Sequence, residues 1–370
     1  MIISKYSLEN AGKSPYDIPW SLGYSEPLEA LFSLNAIVEP ENHPYCERWA
    51  KKTFSSLSEN LKNEILFFSN HYAKWIFITD VIEQLSVGLS PSDCTIETIV
   101  EEMKNMDLLD FSYIFLGFSA FGYDKKLLCN WFSNPNSITL DDLKEQKAFF
   151  KLQDVIYFFE NADLIRSRLA WTLVEYWNQS FHKNWIVLEP YLNSQVEKEK
   201  KELNHLGEIQ YIRSMHSKIT LNDGVFVFSK DPDFSIPVKS IQEIHFNLSL
   251  FIGSNLAVNI IHNKLYLTKN LGFQSAIASQ PLQQDLLEGL KALSDDSRLK
   301  IMKILSNGQA TTKDLAYILH LSPSATSLHL KQLKNANLVD CRKKEKYVYY
   351  FAKEDALTDL ETRLEEYLGI

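Results

Sequence analysis

Apolar residues change their spacing near residue 222 and again near residue 280 of this 370-residue chain. From Pro27 to about Leu221 they recur every three or four positions between short turns, which predicts a mainly helical region. Helices are expected over Glu47–Leu57, Leu61–Leu85, Ile96–Met106, Leu140–Val155 and Leu164–Trp177. Leu192–Ser217 predicts a long helix whose polar run, Glu197–Glu202, reads as a solvated face rather than a binding tail. At Asn222-Asp223-Gly224 the period shortens to two. Val225–Phe228, Ile241–Leu248, Leu256–Ile261 and Lys264–Thr268 are β-branched or aromatic and alternate, and Ile2–Leu8 is read as one more strand. The expected fold class is α+β: a mainly helical N-terminal domain with a small antiparallel sheet over residues 1–280, then a different C-terminal domain over residues 281–370. All seven Trp lie between Trp20 and Trp185, which supports a boundary near Gln280-Pro281.

Beyond that boundary the elements become short and strongly punctuated. Leu282–Leu293 predicts one helix; Asp295 caps the next, with Asp296 in a first-turn position that the helix dipole favours. Leu299, Met302, Ile304 and Leu305 supply its apolar surface, and Asn307-Gly308 ends it. Thr311 or Thr312 caps a third helix whose Leu315, Ala316 and Leu319 face inward, and His320-Leu321 makes a tight turn. Ser322-Pro323 opens a fourth helix with cap and proline in their favoured order. There Thr326, Leu330 and Leu333 form an inward stripe, leaving Pro323, Ser324, Ser327, Leu328 and Lys331 outward. Val339–Arg342 and Tyr347–Phe351 alternate as a hairpin with Lys343, Lys344 and Lys346 at its tip, and Leu357, Leu360, Leu364 and Leu368 form one stripe on a last helix, Ala356–Leu368.

Helices packed beneath one that turns polar residues outward, followed by a basic hairpin, are how a small winged helix-turn-helix domain reads duplex DNA. The candidate DNA contacts are Thr312, Ser322, Ser324, Ser327, Leu328 and Lys331, with Lys343, Lys344 and Lys346 on the wing. Hydroxyls bond base edges or phosphates, an exposed leucine lies against a thymine methyl, and lysines touch the backbone. The overall charge of −9 argues against a polyanion partner. Its distribution argues the other way, because Arg298–Lys353 holds eleven basic residues against three acids and binding responds to the local field.

Leu290–Ile301, Asp314–Leu319, Leu321–Leu333, Leu338-Val339 and Tyr347–Tyr350 resemble the winged helix-turn-helix regulators of the ArsR family, over about residues 285–352. The resemblance implies a DNA-binding transcriptional regulator, taken as a repressor, and a homodimer built through Leu282–Leu293 and Ala356–Leu368. Three positions depart from the family pattern. His320 and Glu345 stand where it usually has glycine, and Ser327-Leu328-His329-Leu330 lacks the first histidine of Ser-His-His-Leu. Histidine tolerates the left-handed region better than glutamate, so the wing turn is expected to differ. Relatives that sense metals use Cys-x-Cys on the first helix of the helix-turn-helix, or His and Asp on the final helix. Thr311–Leu319 has no cysteine, and Asp355, Asp359 and Glu361 stand without histidine, so no metal site is expected. His329 reads as a packed, hydrogen-bonded histidine, and Cys341, beside Arg342, as a small wing residue rather than a redox switch.

Elsewhere the chain has no glycine-rich phosphate loop, Gly-x-Ser-x-Gly elbow, His-Glu-x-x-His pair or nucleotide fingerprint, so neither catalysis nor a cofactor is expected. The aromatic segments Phe149–Phe159 and Trp171–Trp185 read as core before pocket. Cys46, Cys94, Cys129 and Cys341 are scattered, and neither a signal-like start nor a membrane-length apolar run is seen, which points to a cytoplasmic protein without a membrane partner. Residues 1–280 are expected to bind a small-molecule effector or to extend the dimer. The competing class is an enzyme or scaffold whose winged helix serves protein–protein contact.

Overall fold

A computed structural model describes residues 18–72, 75, 78–87, 89, 93–118, 124–145, 150–229, 234–261, 263–279 and 283–368. The chain divides into two compact units, Met1–Ser279 and Gln280–Ile370.

The first unit begins with β1 (Trp20–Gly23) and α1 (Glu26–Val38), followed by α2 (Glu47–Ser56), α3 (Glu59–His71), α4 (Ile78–Leu85), α5 (Ile96–Asn105) and α6 (Leu108–Phe115). Then come α7 (Lys125–Ser133), α8 (Leu140–Glu145), α9 (Leu152–Tyr176), α10 (His182–Leu206) and α11 (Glu208–Met215). Every residue of α1 from Pro27 to Ile37 is buried, as a helix apolar on all sides must be, and its polar side chains find partners. Ser33 Oγ lies 2.7 Å from the Tyr176 hydroxyl, Asn35 Nδ2 lies 3.2 Å from His43 Nε2, and Glu29 Oε2 accepts the Leu250 N–H at 3.0 Å.

Several expected helices are divided. Leu61–Leu85 becomes α3 and α4, with Trp75 between them at φ +70°. Leu140–Val155 is α8 and the start of α9; Leu164–Trp177 is the second half of α9 up to Tyr176, with Trp177 opening a π-helical turn, and the path of α9 kinks at Asn161. Leu192–Ser217 is interrupted at Gly207, which takes φ +75°, open to glycine without steric cost. The run Glu197–Glu202 is not wholly solvated. Leu192, Val196, Glu199 and Leu203 share one buried stripe of α10, and Glu199 there accepts from Lys269 Nζ at 2.5 Å and the Tyr211 hydroxyl at 2.7 Å.

Two sheets follow. β2 (Ile219–Asn222), β3 (Val225–Phe228) and β4 (Phe234–Pro237) form the small antiparallel sheet. β5 (Glu243–Ser249), β6 (Val258–Ile261) and β7 (Lys264–Asn270) join β1 in the order β1-β5-β7-β6. This second sheet is mixed, with β5 parallel to both β1 and β7 and β6 antiparallel to β7. Four residues of β1 are too few to show alternation, so periodicity does not reveal this pairing. α12 (Phe273–Ser279) closes the unit. The aromatic segments are core: Phe158 stacks on Phe115 at 5.3 Å between centroids, and Tyr176, Phe181 and Trp185 are buried, while Trp171 is exposed. The strand expected at Ile2–Leu8 lies outside the described residues.

The second unit contains α13 (Gln284–Leu293), α14 (Asp296–Leu305), β8 (Ala310–Thr311), α15 (Thr312–Leu319), α16 (Pro323–Asn335), β9 (Val339–Lys344), β10 (Tyr347–Ala352) and α17 (Ala356–Leu368). Ile301, Met302, Leu305, Leu315, Leu330, Leu333 and Val339 share its core. Leu299, expected to pack, is 51% exposed, because Ile301 rather than Leu299 shares the buried face with Met302 and Leu305.

Candidate nucleic-acid interface

Local chemistry sets the geometry of α15 and α16. Thr311, not Thr312, caps α15 through a reciprocal box: Asp314 N–H donates to Thr311 Oγ1 at 3.3 Å, and Thr311 N–H donates to Asp314 Oδ2 at 2.9 Å. The Thr311 backbone and hydroxyl hydrogen bonds hold the Asp314 carboxyl below the ordinary range. His320 ends the helix at φ +53°, the left-handed conformation expected of it. Ser322 then caps α16 by accepting the Ala325 N–H at 3.1 Å, with Pro323 at the first helical position.

Thr326, Leu330 and Leu333 are fully buried, as their spacing predicts, and the opposite side of α16 is open. Leu328 is 57% exposed, and Ser324, Ser327 and Lys331 are exposed beside it. The hydroxyls are not equivalent. Ser322 Oγ is committed to the cap and to Ser324 Oγ at 3.0 Å, whereas Ser327 has no hydrogen-bond partner among the described residues. Thr312 is half-buried at the first position of α15.

The hairpin follows the expected register. Tyr347 pairs with Lys344 across a two-residue turn, and β10 also pairs with β8, which ties the wing to the start of α15. Lys343, Lys344 and Lys346 are all exposed. Glu345 takes φ +54°, so the turn keeps a conformation suited to glycine despite the residue present.

Much of the local positive charge is paired within the unit, which counting residues could not reveal. Arg298 donates to Ala292 O at 2.5 Å, Lys291 O at 2.9 Å and Gln332 Oε1 at 2.7 Å, joining the end of α13 to α16. Lys300 pairs with Asp296, Lys334 with Asp340, and Arg342 donates to Gln309. Lys303, Lys313, Lys331, Lys343, Lys344 and Lys346 have no acidic partner among the described residues, so the outward charge lies on α14, α15, α16 and the wing tip. Cys341 Sγ accepts from Lys334 Nζ at 3.0 Å. His329, expected to be hydrogen-bonded, is half-buried with Nδ1 unpartnered and 3.8 Å from Asp295 Oδ1.

α13 and α17 pack on each other. The Arg363 guanidinium pairs with Asp285, Leu360 rests over Gly289, and Leu357 is 42% exposed. Among the described residues no cluster of His, Cys, Asp and Glu is placed to hold a metal ion, and no helix is long and apolar enough to cross a membrane.

Known proteins resemble this second unit. The profile of the bacterial regulatory protein, arsR family, matches residues 295–340. The cadmium resistance transcriptional regulatory protein CadC homolog of Staphylococcus aureus is 39% identical over 20% of this chain and 64% of its own length, so this chain spans just under two thirds of that relative. The transcriptional repressor SdpR of Bacillus subtilis is 35% identical over 19% of this chain and 77% of its own. The transcriptional repressor SmtB homolog of Synechocystis is 30% identical over 26% and 72%. Among solved structures, NolR from Sinorhizobium fredii is 31% identical over 24% of this chain and 94% of its own, with a TM-score of 0.20.

Proposed function

This chain belongs to the ArsR family, and from that premise we propose that it is a DNA-binding transcriptional regulator acting as a homodimer. The observation that carries the reading is the outward side of α16, where Ser327, Leu328 and Lys331 stand clear of the core beside a wing tipped by Lys343, Lys344 and Lys346. α16 enters the major groove; Ser327 and Leu328 read base edges, with Ser324 and Lys331 alongside them. The wing lysines grip the adjacent phosphates. Thr312, at the N-terminus of α15, and the cap residue Ser322 contact the backbone. α13 and α17 carry the dimer contact, which sets two copies of α16 about one helical turn of DNA apart, on the order of 34–36 Å, over a roughly palindromic site.

The outcome is repression in the simplest case, since a dimer seated in the groove excludes other proteins from the same base pairs. SdpR, a relative, is named a repressor. The first unit modulates this module by binding an effector or extending the dimer. A mobility-shift assay of the full chain with genomic fragments from around its own gene is the test. Saturable, salt-sensitive preference for one fragment is the expected result, and equal binding to every fragment at every salt overturns the reading.

A further inference from the structure

Strands β5 and β7 place an unusual set of polar side chains on one face of the mixed sheet. Positions two apart share a face, so Glu243, His245 and Asn247 line up along β5, opposite Lys264, Tyr266 and Thr268 on β7. Ser21 of β1 extends the middle row, its Oγ 2.8 Å from His245 Nδ1. A cavity of about 280 Å³ opens over this face, and Leu28, Val87 and Leu89 supply apolar wall. Its size suits a small molecule and not a peptide.

Some of the polar groups are satisfied: Lys264 pairs with Glu243 at 2.8 Å, and Glu83, on the wall from α4, accepts from Asn259 Nδ2 at 3.0 Å. Others are not. Both polar atoms of the Asn247 amide, a residue of the cavity lining, are buried with no hydrogen bond, and His245 Nε2 makes none either but lies 3.5 Å from Glu243 Oε2. Each such group costs about 1–3 kcal/mol when left unpaired, so an unpaired amide in the lining of a cavity is matched to something that enters it.

We propose that this cavity binds a small, planar, uncharged heterocycle with an amide or amidine edge, of the nucleobase or nicotinamide kind, as the effector of the regulator described above. The Asn247 amide offers one donor and one acceptor side by side, which a cyclic amide or amidine answers with one of each. The aromatic surface of Tyr266 favours a flat ring, and Tyr266 already stacks with His245 at 4.6 Å between centroids. Charge selects against an anion. Glu83 and Glu243 outnumber Lys264 there, and burial lowers the His245 pKa, so its ring is neutral near pH 7. A free base enters; the corresponding phosphorylated nucleotide does not.

The site rests on the effector role proposed above, and its test is run without DNA so that either can fail alone. Calorimetric titration of the full chain with adenine, uracil and nicotinamide should give saturable one-to-one binding for at least one of them. Adenosine monophosphate should bind at least about tenfold more weakly than adenine, because its phosphate meets the two carboxylates. Asn247→Ala should weaken the ligand about tenfold or more by removing paired donor and acceptor. Val87→Trp, at the partly exposed rim of the cavity, should do the same by filling it, and that variant decides the matter if Asn247→Ala does not fold. No saturable heat from any of the three at millimolar concentration, or an affinity unchanged in Val87→Trp, overturns the proposal. A normal shift assay alongside that result leaves the DNA-binding reading standing.

Discussion

Gly289 of α13 lies directly against Leu360 of α17: a β-carbon at Gly289 would sit 2.6 Å from Leu360 Cδ1. Glycine inside a helix costs roughly 1 kcal/mol against alanine, so its presence here exchanges helix propensity for close approach. Gly289→Ala should therefore be near neutral or mildly destabilising alone, because Leu360 must turn aside. In a Leu360→Ala background the same change should stabilise by about 1 kcal/mol. Chemical unfolding of the wild type and the three variants measures the coupling, and additive effects would show that the two residues do not constrain each other.

The wing lysines and the α16 hydroxyls should separate in their salt dependence. Lys344→Ala should weaken binding to preferred and random DNA alike and lower the slope of log K against log salt by about 1. Ser327→Ala should leave that slope unchanged and weaken the preferred site alone, by about 1 kcal/mol. Parallel losses on both DNAs for both variants would contradict the division of roles.

Glu345 holds φ +54° at the wing tip, a region that costs an L-residue roughly 1–2 kcal/mol. Glu345→Gly should stabilise the second unit by about 1 kcal/mol, somewhat offset by the added freedom of glycine when unfolded. It should also tighten DNA binding, since a carboxylate leaves the phosphate-facing tip. Thermal unfolding and a binding titration measure the two effects separately.

Arg298 spends its guanidinium on two carbonyls of α13 and on Gln332 of α16. Lysine keeps the charge but not the planar fork. Arg298→Lys should thus cost about 1–3 kcal/mol of stability while the salt slope of DNA binding stays as it was. A fall in that slope with unchanged stability would place Arg298 on the DNA instead.

Burial lifts the Glu29 carboxyl to about 7 from an ordinary 4.5, with the Ser249 hydroxyl and the Leu250 N–H pulling the other way, and burial also raises Glu26 to about 7. The folded chain therefore holds protons that the unfolded chain releases. The resulting stability is complete below about pH 4.5 and is lost as pH rises through about 7. Glu29→Gln should reduce the loss of stability between pH 5 and pH 8 by on the order of 1–3 kcal/mol, read from denaturation midpoints at each pH. A variant with the same pH slope as the wild type would contradict the assignment.

The second unit was legible because its signals are local. Asp295, Thr311 and Ser322 cap the helices that follow them, Pro323 occupies the first turn of α16, and Thr326, Leu330 and Leu333 keep helical spacing, so each element can be read within a few residues. Even Glu199 was within reach, since it falls on the stripe of Leu192, Val196 and Leu203, but a run of charges masked that spacing.

By itself, then, the sequence determined where α14, α15, α16 and the wing lie to within a residue or two, and which side of α16 faces outward, because caps, turns and helical period act between neighbours in the chain. Tertiary structure alone decided that β1 pairs with β5, that Arg298 turns its charge inward to Gln332, and that Ser21, His245, Asn247 and Tyr266 share one cavity. Those relationships join residues tens to hundreds of positions apart, and they arise from which buried surfaces and hydrogen-bonding groups meet when the chain closes on itself, which no local pattern encodes.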